Sequence, residues 1–130
     1  MTSGCPRKLM VLILGTVLLA YLLPARAQAP APSPALPTIL EFDRKLCPVC
    51  REAELNIQAV ASRYPGQFAV RKLYVDEHGP MFRQYRADIV PTQVFLDADG
   101  REVFRHQGVF PQEKLVQKLR ELKFIQDGKN

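Results

Sequence analysis

The chain has 130 residues, of which 47% are hydrophobic and 24% are charged, with 11 Pro, 7 Gly, 3 Cys and no Trp. This composition excludes fibrous, collagenous and fully disordered chains, and the length suits one small domain with an extension. The net charge is +5, but beyond residue 27 only 15 of the 18 basic side chains remain, against 13 acidic ones. So small an excess gives no support for a nucleic-acid partner, which needs clustered basic residues to neutralise phosphates.

The N-terminus has the pattern of an export signal. Arg7 and Lys8 precede an uncharged run from Leu9 to Leu23, which is followed by the small-residue sequence Ala25-Arg26-Ala27. We therefore predict a secretory signal over residues 1–27, cleaved after Ala27. The alternative is a retained anchor, in which residues 9–23 tether the protein, although about 18 apolar residues are expected for a spanning helix. Either way the expected compartment is extracytoplasmic, and specifically a bacterial periplasm.

Three further segments follow the signal. Residues 28–37 are rich in Ala and Pro and are predicted to be an extended linker. Residues 38–126 are predicted to be the folded domain, and residues 127–130 a short tail. Cys5 lies within the signal, so cleavage would leave only the closely spaced Cys47 and Cys50. Two cysteines are too few for a multiply bridged scaffold, and their role is therefore expected to be local.

The first half of the domain alternates strands and helices. The β-rich segment Thr38–Asp43 leads directly into the sequence Cys47-Pro48-Val49-Cys50. A helix is predicted to follow as far as Arg63, since apolar residues then recur at helical spacing. Pro65-Gly66 ends that helix, and the apolar segment Phe68–Val75 is predicted to be a largely buried strand.

The second half begins with a shorter helix predicted after Gly79-Pro80. Two strands, Thr92–Leu96 and Glu102–Arg105, flank the turn sequence Asp97–Gly100, which predicts an antiparallel hairpin. The final helix is predicted over Pro111–Lys123. The order β-α-β-α-β-β-α predicts an α/β fold with a four-stranded mixed sheet flanked by helices, in which a right-handed crossover joins the first two strands in parallel.

Two cysteines separated by two residues, at the junction of a strand and a helix, are typical of thiol redox chemistry. Cys47 would lie at the helix N-terminus, where unpaired N–H groups and the helix dipole favour a thiolate. Cys50, one turn further along, could attack a mixed disulfide on Cys47 and release the reduced partner. The same spacing also occurs in metal sites. His78 and His106 lack ligand spacing to the cysteines, however, so no zinc site is expected.

From Thr38 to Phe124 the sequence resembles the thioredoxin family. The features that carry this resemblance are Glu41-Phe42, Cys47-Pro48-Val49-Cys50, Lys72-Leu73, Asp76, Tyr85, Val90-Pro91-Thr92 and Gly108. The resemblance implies a thioredoxin-like fold in a minimal form, because the family's first strand and helix have no counterpart before Thr38. Other departures are Leu46 in place of the usual Trp, and Pro-Val between the cysteines.

The resemblance also implies roles for individual residues. Val90-Pro91 would be a cis peptide bond beside the cysteines, and an extended substrate would bind along Pro48, Val49, Val90, Pro91, Thr92 and Gly108. Glu41 would be a buried carboxylate that accepts the proton of Cys50, with Lys72 as its partner. The alternative for this last pair is an ordinary half-buried Glu–Lys contact on neighbouring strands.

The sequence therefore predicts an exported thiol:disulfide oxidoreductase, acting as a reductase or isomerase on protein disulfides. A membrane thiol carrier would supply its electrons. No organic cofactor, metal or nucleic acid is expected, and the protein is expected to be monomeric. The alternatives are a disulfide-inserting oxidase, a non-catalytic binding module of the same fold, and a metallochaperone that binds Cu(I) or Zn through Cys47 and Cys50.

Overall fold

The structure, a computed structural model, describes residues 35–128. The predicted signal or anchor, most of the predicted linker and the last two residues lie outside this range. The strands are β1 (Thr38–Asp43), β2 (Ala69–Tyr74), β3 (Thr92–Leu96) and β4 (Glu102–Gln107), and the helices are α1 (Pro48–Arg63), α2 (Gly79–Tyr85) and α3 (Gln112–Glu121). This confirms the predicted order of elements.

The strands form one mixed sheet in the order β2-β1-β3-β4. β1 pairs in parallel with β2 and antiparallel with β3, and β4 pairs antiparallel with β3. The parallel pair is connected through α1, because parallel neighbours need a long crossover. The consecutive antiparallel strands β3 and β4 need only a tight turn, in which Asp97 accepts hydrogen bonds from the backbone N–H groups of Asp99 and Arg101, each at 2.9 Å.

The sheet has an apolar core on each face, because alternate residues of a strand point to opposite sides. On β1, Ile39 faces the core formed with α1 and α3, whereas Leu40 and Phe42 face the core formed with α2. The first core also contains Ile57, Val60, Phe68, Phe95, Phe110, Leu115, Val116, Leu119, Phe124 and Ile125. The second also contains Leu73, Phe82, Ala87, Val94 and Leu96.

Helix α1 begins directly at the cysteines. Cys47 is its N-cap residue, and Pro48 occupies the first helical position, where a missing N–H costs nothing. The buried residues Cys50, Ala53, Ile57 and Val60 recur at helical spacing along one face. The helix ends before Pro65-Gly66, and Gly66 has φ +71°, a left-handed conformation that glycine adopts without steric cost.

The topology brings two chain segments to the same edge of the sheet. Phe42 near the end of β1 is paired with Thr92 at the start of β3. The loop that leads from β1 to Cys47 and the residues that precede β3, Val90 and Pro91, therefore leave the sheet at this edge. Within residues 35–128, no helix is long and apolar enough to cross a membrane.

Candidate active site

The two cysteines form a disulfide at the start of α1. Their Cα atoms are 5.2 Å apart, and the Cys47 Sγ accepts a hydrogen bond from the backbone N–H of Cys50 at 3.3 Å. Cys47 is partly exposed, whereas Cys50 is only 2% exposed. An incoming thiol or disulfide can therefore reach the Cys47 sulfur, while the Cys50 sulfur is shielded by the fold.

The segment before β3 is fixed by backbone and side-chain hydrogen bonds. The Val90–Pro91 peptide bond is cis. The N–H of Gly108 donates to the carbonyl of Pro91 at 2.8 Å, and the hydroxyl of Thr92 donates to the carbonyl of Ile89 at 2.6 Å. Gly108 has φ +91°, which a residue with a side chain rarely adopts. The structure thus places Gly108 beside Pro91.

Three large apolar side chains are exposed next to these segments. Leu46 immediately precedes Cys47, has φ 58° and is fully exposed. Val49, between the cysteines, is 51% exposed, and Ile89, before the cis bond, is 55% exposed. Pro48 is also exposed. Apolar side chains held in water around a disulfide favour contact with an apolar partner segment.

A cleft of about 460 Å³ opens beside the disulfide. Its lining includes both cysteines, Pro48, Leu46 and Tyr74, together with the basic residues Arg44, Lys45, Arg51 and Lys72 and the acidic residues Asp43 and Glu54. Most of these charges are paired with one another or with neighbours, and the cleft is consequently polar without a large excess of one sign.

Lys72 does not pair with Glu41, contrary to the prediction from the resemblance. Its Nζ is 3.2 Å from Asp43 Oδ2 and 2.7 Å from Glu54 Oε2. Burial alone would lower the pKa of Lys72, but hydrogen bonds to Glu54, Tyr74 and Asp43 raise it above its ordinary value. Glu41 and Lys72 are aligned across the β1–β2 pair, but the Lys72 ammonium turns to the two other acids.

Glu41 is buried without a direct partner for one oxygen. It is 2% exposed, and its Oε1 has no hydrogen-bond partner. Burial is the largest cause that raises the pKa of Glu41 to about 8; the charge of Asp43 contributes in the same direction, and Lys72 opposes the shift. Burial also raises the pKa of Asp43, while hydrogen bonds from Lys72 and Arg51 lower that of Glu54. A protonated Glu41 at neutral pH follows from these surroundings.

Two polar residues of this region were missed in the sequence. Gln93 is 0% exposed, and neither its Nε2 nor its Oε1 has a hydrogen-bond partner. Asp43 is 1% exposed and was considered in the sequence only as the last residue of the first strand. A signal existed for both, since Gln93 interrupts the apolar strand Thr92–Leu96, and Glu41 and Asp43 stand two apart on another buried strand.

The two histidines lie in other surroundings. The Nδ1 of His78 accepts a hydrogen bond from the backbone N–H of Tyr74 at 3.3 Å. His106 is stacked on Phe110, with ring centroids 4.1 Å apart, and its Nε2 is 3.2 Å from the Val109 carbonyl oxygen. In the part of the chain that the structure describes, no three His, Cys, Asp or Glu side chains are grouped so as to hold a metal ion.

The sequence profile of the thioredoxin-like domain matches residues 25–123. The chain belongs to the thioredoxin-like family. Its curated relatives include thioredoxin-1 of Drosophila melanogaster, 30% identical over 63 residues, which are 48% of this chain and 59% of that protein. Another is the chloroplastic thioredoxin M3 of Oryza sativa subsp. japonica, 26% identical over 84 residues, or 65% of this chain and 47% of that protein. The chain thus spans about half the length of the curated relatives it matches.

Solved structures agree with this assignment. A thioredoxin-like protein from Clostridium perfringens is 28% identical, with a TM-score of 0.63 over 76% of this chain and 80% of that chain. The germline-specific thioredoxin Deadhead of Drosophila is 26% identical, with a TM-score of 0.61 over 67% of this chain and 81% of that chain. These similarities confirm the predicted thioredoxin-like fold.

Proposed function

We propose that this thioredoxin-like protein is a thiol:disulfide oxidoreductase that exchanges the Cys47–Cys50 pair with protein substrates. The observation that carries the proposal is the bonded pair itself, with one accessible and one shielded sulfur at the start of α1. The helix N-terminus favours a thiolate on Cys47, and a thiolate is the species that attacks a disulfide. Exposed Leu46, Val49 and Ile89 offer an apolar contact for the substrate segment.

The exchange proceeds in two steps from the reduced protein. The Cys47 thiolate attacks a substrate disulfide, one substrate sulfur leaves as a thiolate, and a mixed disulfide forms. The Cys50 thiol then loses its proton to Glu41 in those molecules whose Glu41 is ionised, a fraction that grows as pH rises toward 8, and attacks the Cys47 sulfur, so that the second substrate sulfur leaves as a thiolate. The substrate disulfide is reduced by two electrons, and the Cys47–Cys50 disulfide is formed. Glu41 is suited to accept the proton because its pKa of about 8 is close to that of a thiol.

The proposal extends to the direction of exchange and to the compartment. We place the protein outside the cytoplasm, as the signal pattern of residues 1–27 indicates, where it acts as a reductase or isomerase fed by a membrane thiol carrier. Val49 has no side-chain donor for the Cys47 thiolate, which favours a reducing pair over a strongly oxidising one. Equilibration with glutathione measures this directly. A potential near about −270 mV supports a reductase, and one near about −120 mV indicates an oxidase.

Single cysteine variants of the full chain test the chemistry. With insulin as the disulfide substrate, Cys47→Ser is expected to abolish reduction, because no thiol can start the reaction. Cys50→Ser is expected to accumulate a mixed disulfide on Cys47, because no second thiol resolves it; mass spectrometry under non-reducing conditions detects this adduct. Cys5→Ser is the matched control and should react at the wild-type rate. A Cys50→Ser protein that never forms the adduct would contradict the proposal and favour a non-catalytic binding module.

A further inference from the structure

A row of polar residues crosses the sheet on the face that α1 and α3 cover. Glu41 is aligned with Lys72 on one side and with Gln93 on the other, and Gln93 is aligned with His106. Residues directly opposite one another in a sheet point to the same face. The face is identified by Ile39 on β1, which lies two residues from Glu41 and belongs to the core formed with α1 and α3.

Gln93 is a polar residue in an environment that does not satisfy its hydrogen-bonding groups. Its side chain is fully buried, and both atoms of its amide lack a hydrogen-bond partner. An unsatisfied amide in an apolar core is costly, and an apolar residue of the same length would remove that cost. On the same face, the next residue of β3 is Phe95, which is a core residue. The presence of an amide here therefore calls for a partner that uses it.

Glu41 is placed to become that partner, since the register aligns it with Gln93, and the two side chains are not hydrogen-bonded in the structure. Directly opposed residues of an antiparallel pair have Cβ atoms about 4.5–5.5 Å apart, within reach for two long side chains. Glu41 also has an oxygen without a hydrogen bond. Lys72 does not serve this oxygen, because its ammonium is engaged with Asp43 and Glu54. The Gln93 amide is the uncharged polar group that faces Glu41 from the neighbouring strand.

We propose that Gln93 is a positioning residue for the proton transfer between Cys50 and Glu41, which rests on the function proposed above. An amide is suited to this role because it has both a donor and an acceptor. Before transfer, the Gln93 Nε2–H donates to the Glu41 carboxylate. After the Cys50 proton has moved to Glu41, the new carboxylic O–H donates to the Gln93 Oε1. The amide can thus form a hydrogen bond with Glu41 in both of its protonation states, and it does not itself gain or lose a proton.

Other charged or titratable groups face Glu41 and form the background of this interaction. They are Asp43 on β1, Lys72 on β2 and Glu54 on α1, whose charges act on Glu41, and His106 on β4 beyond Gln93. The charge of Asp43 disfavours ionisation of Glu41, and that of Lys72 favours it. The hydrogen bond proposed here is stronger to the carboxylate than to the acid, because charge-assisted bonds are the stronger ones, and Gln93→Met would be unable to form it.

The test is Gln93→Met in the full chain, since Met matches Gln in length but lacks the amide. Carboxyl ¹³C NMR follows the titration of Glu41 in the oxidised protein, with the ring signals of His106 recorded separately. We expect the pKa of Glu41 to rise by roughly one unit relative to wild type. Gln117→Met, an exposed substitution on α3, should leave it unchanged. An unchanged pKa of Glu41 in Gln93→Met overturns the inference.

A second measurement uses the wild-type protein, so it can be made even if Gln93→Met does not fold. The side-chain N–H signals of Gln93 in the wild-type protein are expected to shift in a single step at the pKa of Glu41. Signals that do not follow Glu41 contradict the inference.

Kinetics then separate the inference from the function on which it rests. The pH profile for release of substrate from the mixed disulfide should move upward in Gln93→Met by the same roughly one unit, while its plateau rate stays near wild type. Exchange with an unmoved profile overturns the role of Gln93 and leaves the proposed function intact. Absence of any exchange in the wild-type protein overturns the proposed function, whatever the pKa of Glu41.

Discussion

At the scale of single residues, Glu41 is a buried acid whose surroundings disfavour its charged form. It is buried, its Oε1 has no hydrogen-bond partner, and its pKa is raised from 4.5 to about 8. Between these two pH values the folded protein keeps a proton on Glu41 that the unfolded chain has already released. Unfolding therefore releases a proton, so stability falls as pH rises from about 4.5 to about 8 and then levels off for this group.

Glu41→Gln is expected to remove most of this pH dependence. At pH 7 the variant should be more stable than wild type by on the order of 2–3 kcal/mol, because it no longer carries a group that resists ionisation. Urea unfolding of the oxidised protein at several pH values measures the effect. Glu52→Gln, an exposed substitution on α1, should keep the wild-type slope. A Glu41→Gln protein with the same slope as wild type would show that Glu41 is ionised in the native state.

At the scale of elements, Lys72 joins three of them. It belongs to β2, its ammonium contacts Asp43 at the end of β1, and it contacts Glu54 on α1. Because Asp43 is 1% exposed and little solvated by water, its ionised carboxylate is stabilised chiefly by the Lys72 ammonium. The ion pair fixes the first turns of α1 over the sheet, and with them the position of the cysteines.

Lys72→Met is expected to lower the free energy of unfolding by about 2–3 kcal/mol, because it leaves a buried carboxylate without its cation. Adding Asp43→Asn should recover part of this loss, which a double-mutant cycle detects as coupling between the two sites. Lys45→Met is the matched control, since the acids that Lys45 pairs with, Asp76 and Glu77, are exposed, and the substitution should change stability little. Additive effects of Lys72→Met and Asp43→Asn would rule out the coupling.

The ends of elements were less accurately predicted than their order. The sequence predicts the last helix over Pro111–Lys123, but α3 covers Gln112–Glu121. Pro111 is the N-cap residue, and Lys123 has φ 60°, which ends the helix. Strand β4 extends to Gln107, two residues beyond the prediction, because it follows β3 as far as Thr92. Local sequence does not reveal how far a neighbouring strand extends.

At the scale of the whole molecule, two apolar cores on opposite faces of one sheet hold the described domain together. Of the two cysteines, Cys50 is buried and Cys47 is partly exposed, so a substrate can reach the Cys47 sulfur from the surface of the fold. The proposed export involves the whole chain, because the N-terminal signal directs export and the linker connects it to the folded domain.

Export is tested with the full chain expressed in a bacterium with a functional secretion pathway. We expect the protein in the periplasmic fraction, with a mass that places Gln28 at its N-terminus, because the apolar run is too short for a typical span. Full-length protein in the membrane fraction would indicate the retained anchor instead. Full-length protein in the cytoplasm would contradict export. Arg substituted at Leu14, within the apolar run, should abolish export without altering the domain.

The sequence by itself determined the order of elements, the position of the cysteines and the family. These depend on local patterns: strand and helix periodicity, the spacing of Cys47 and Cys50, and the Val90-Pro91 segment. The tertiary structure decided the partners of the buried polar groups. It turned Lys72 toward Asp43 and Glu54 and placed Gln93 opposite Glu41. Such pairings depend on strand register and on which side chain reaches first, and residues distant in sequence meet only when the sheet is assembled.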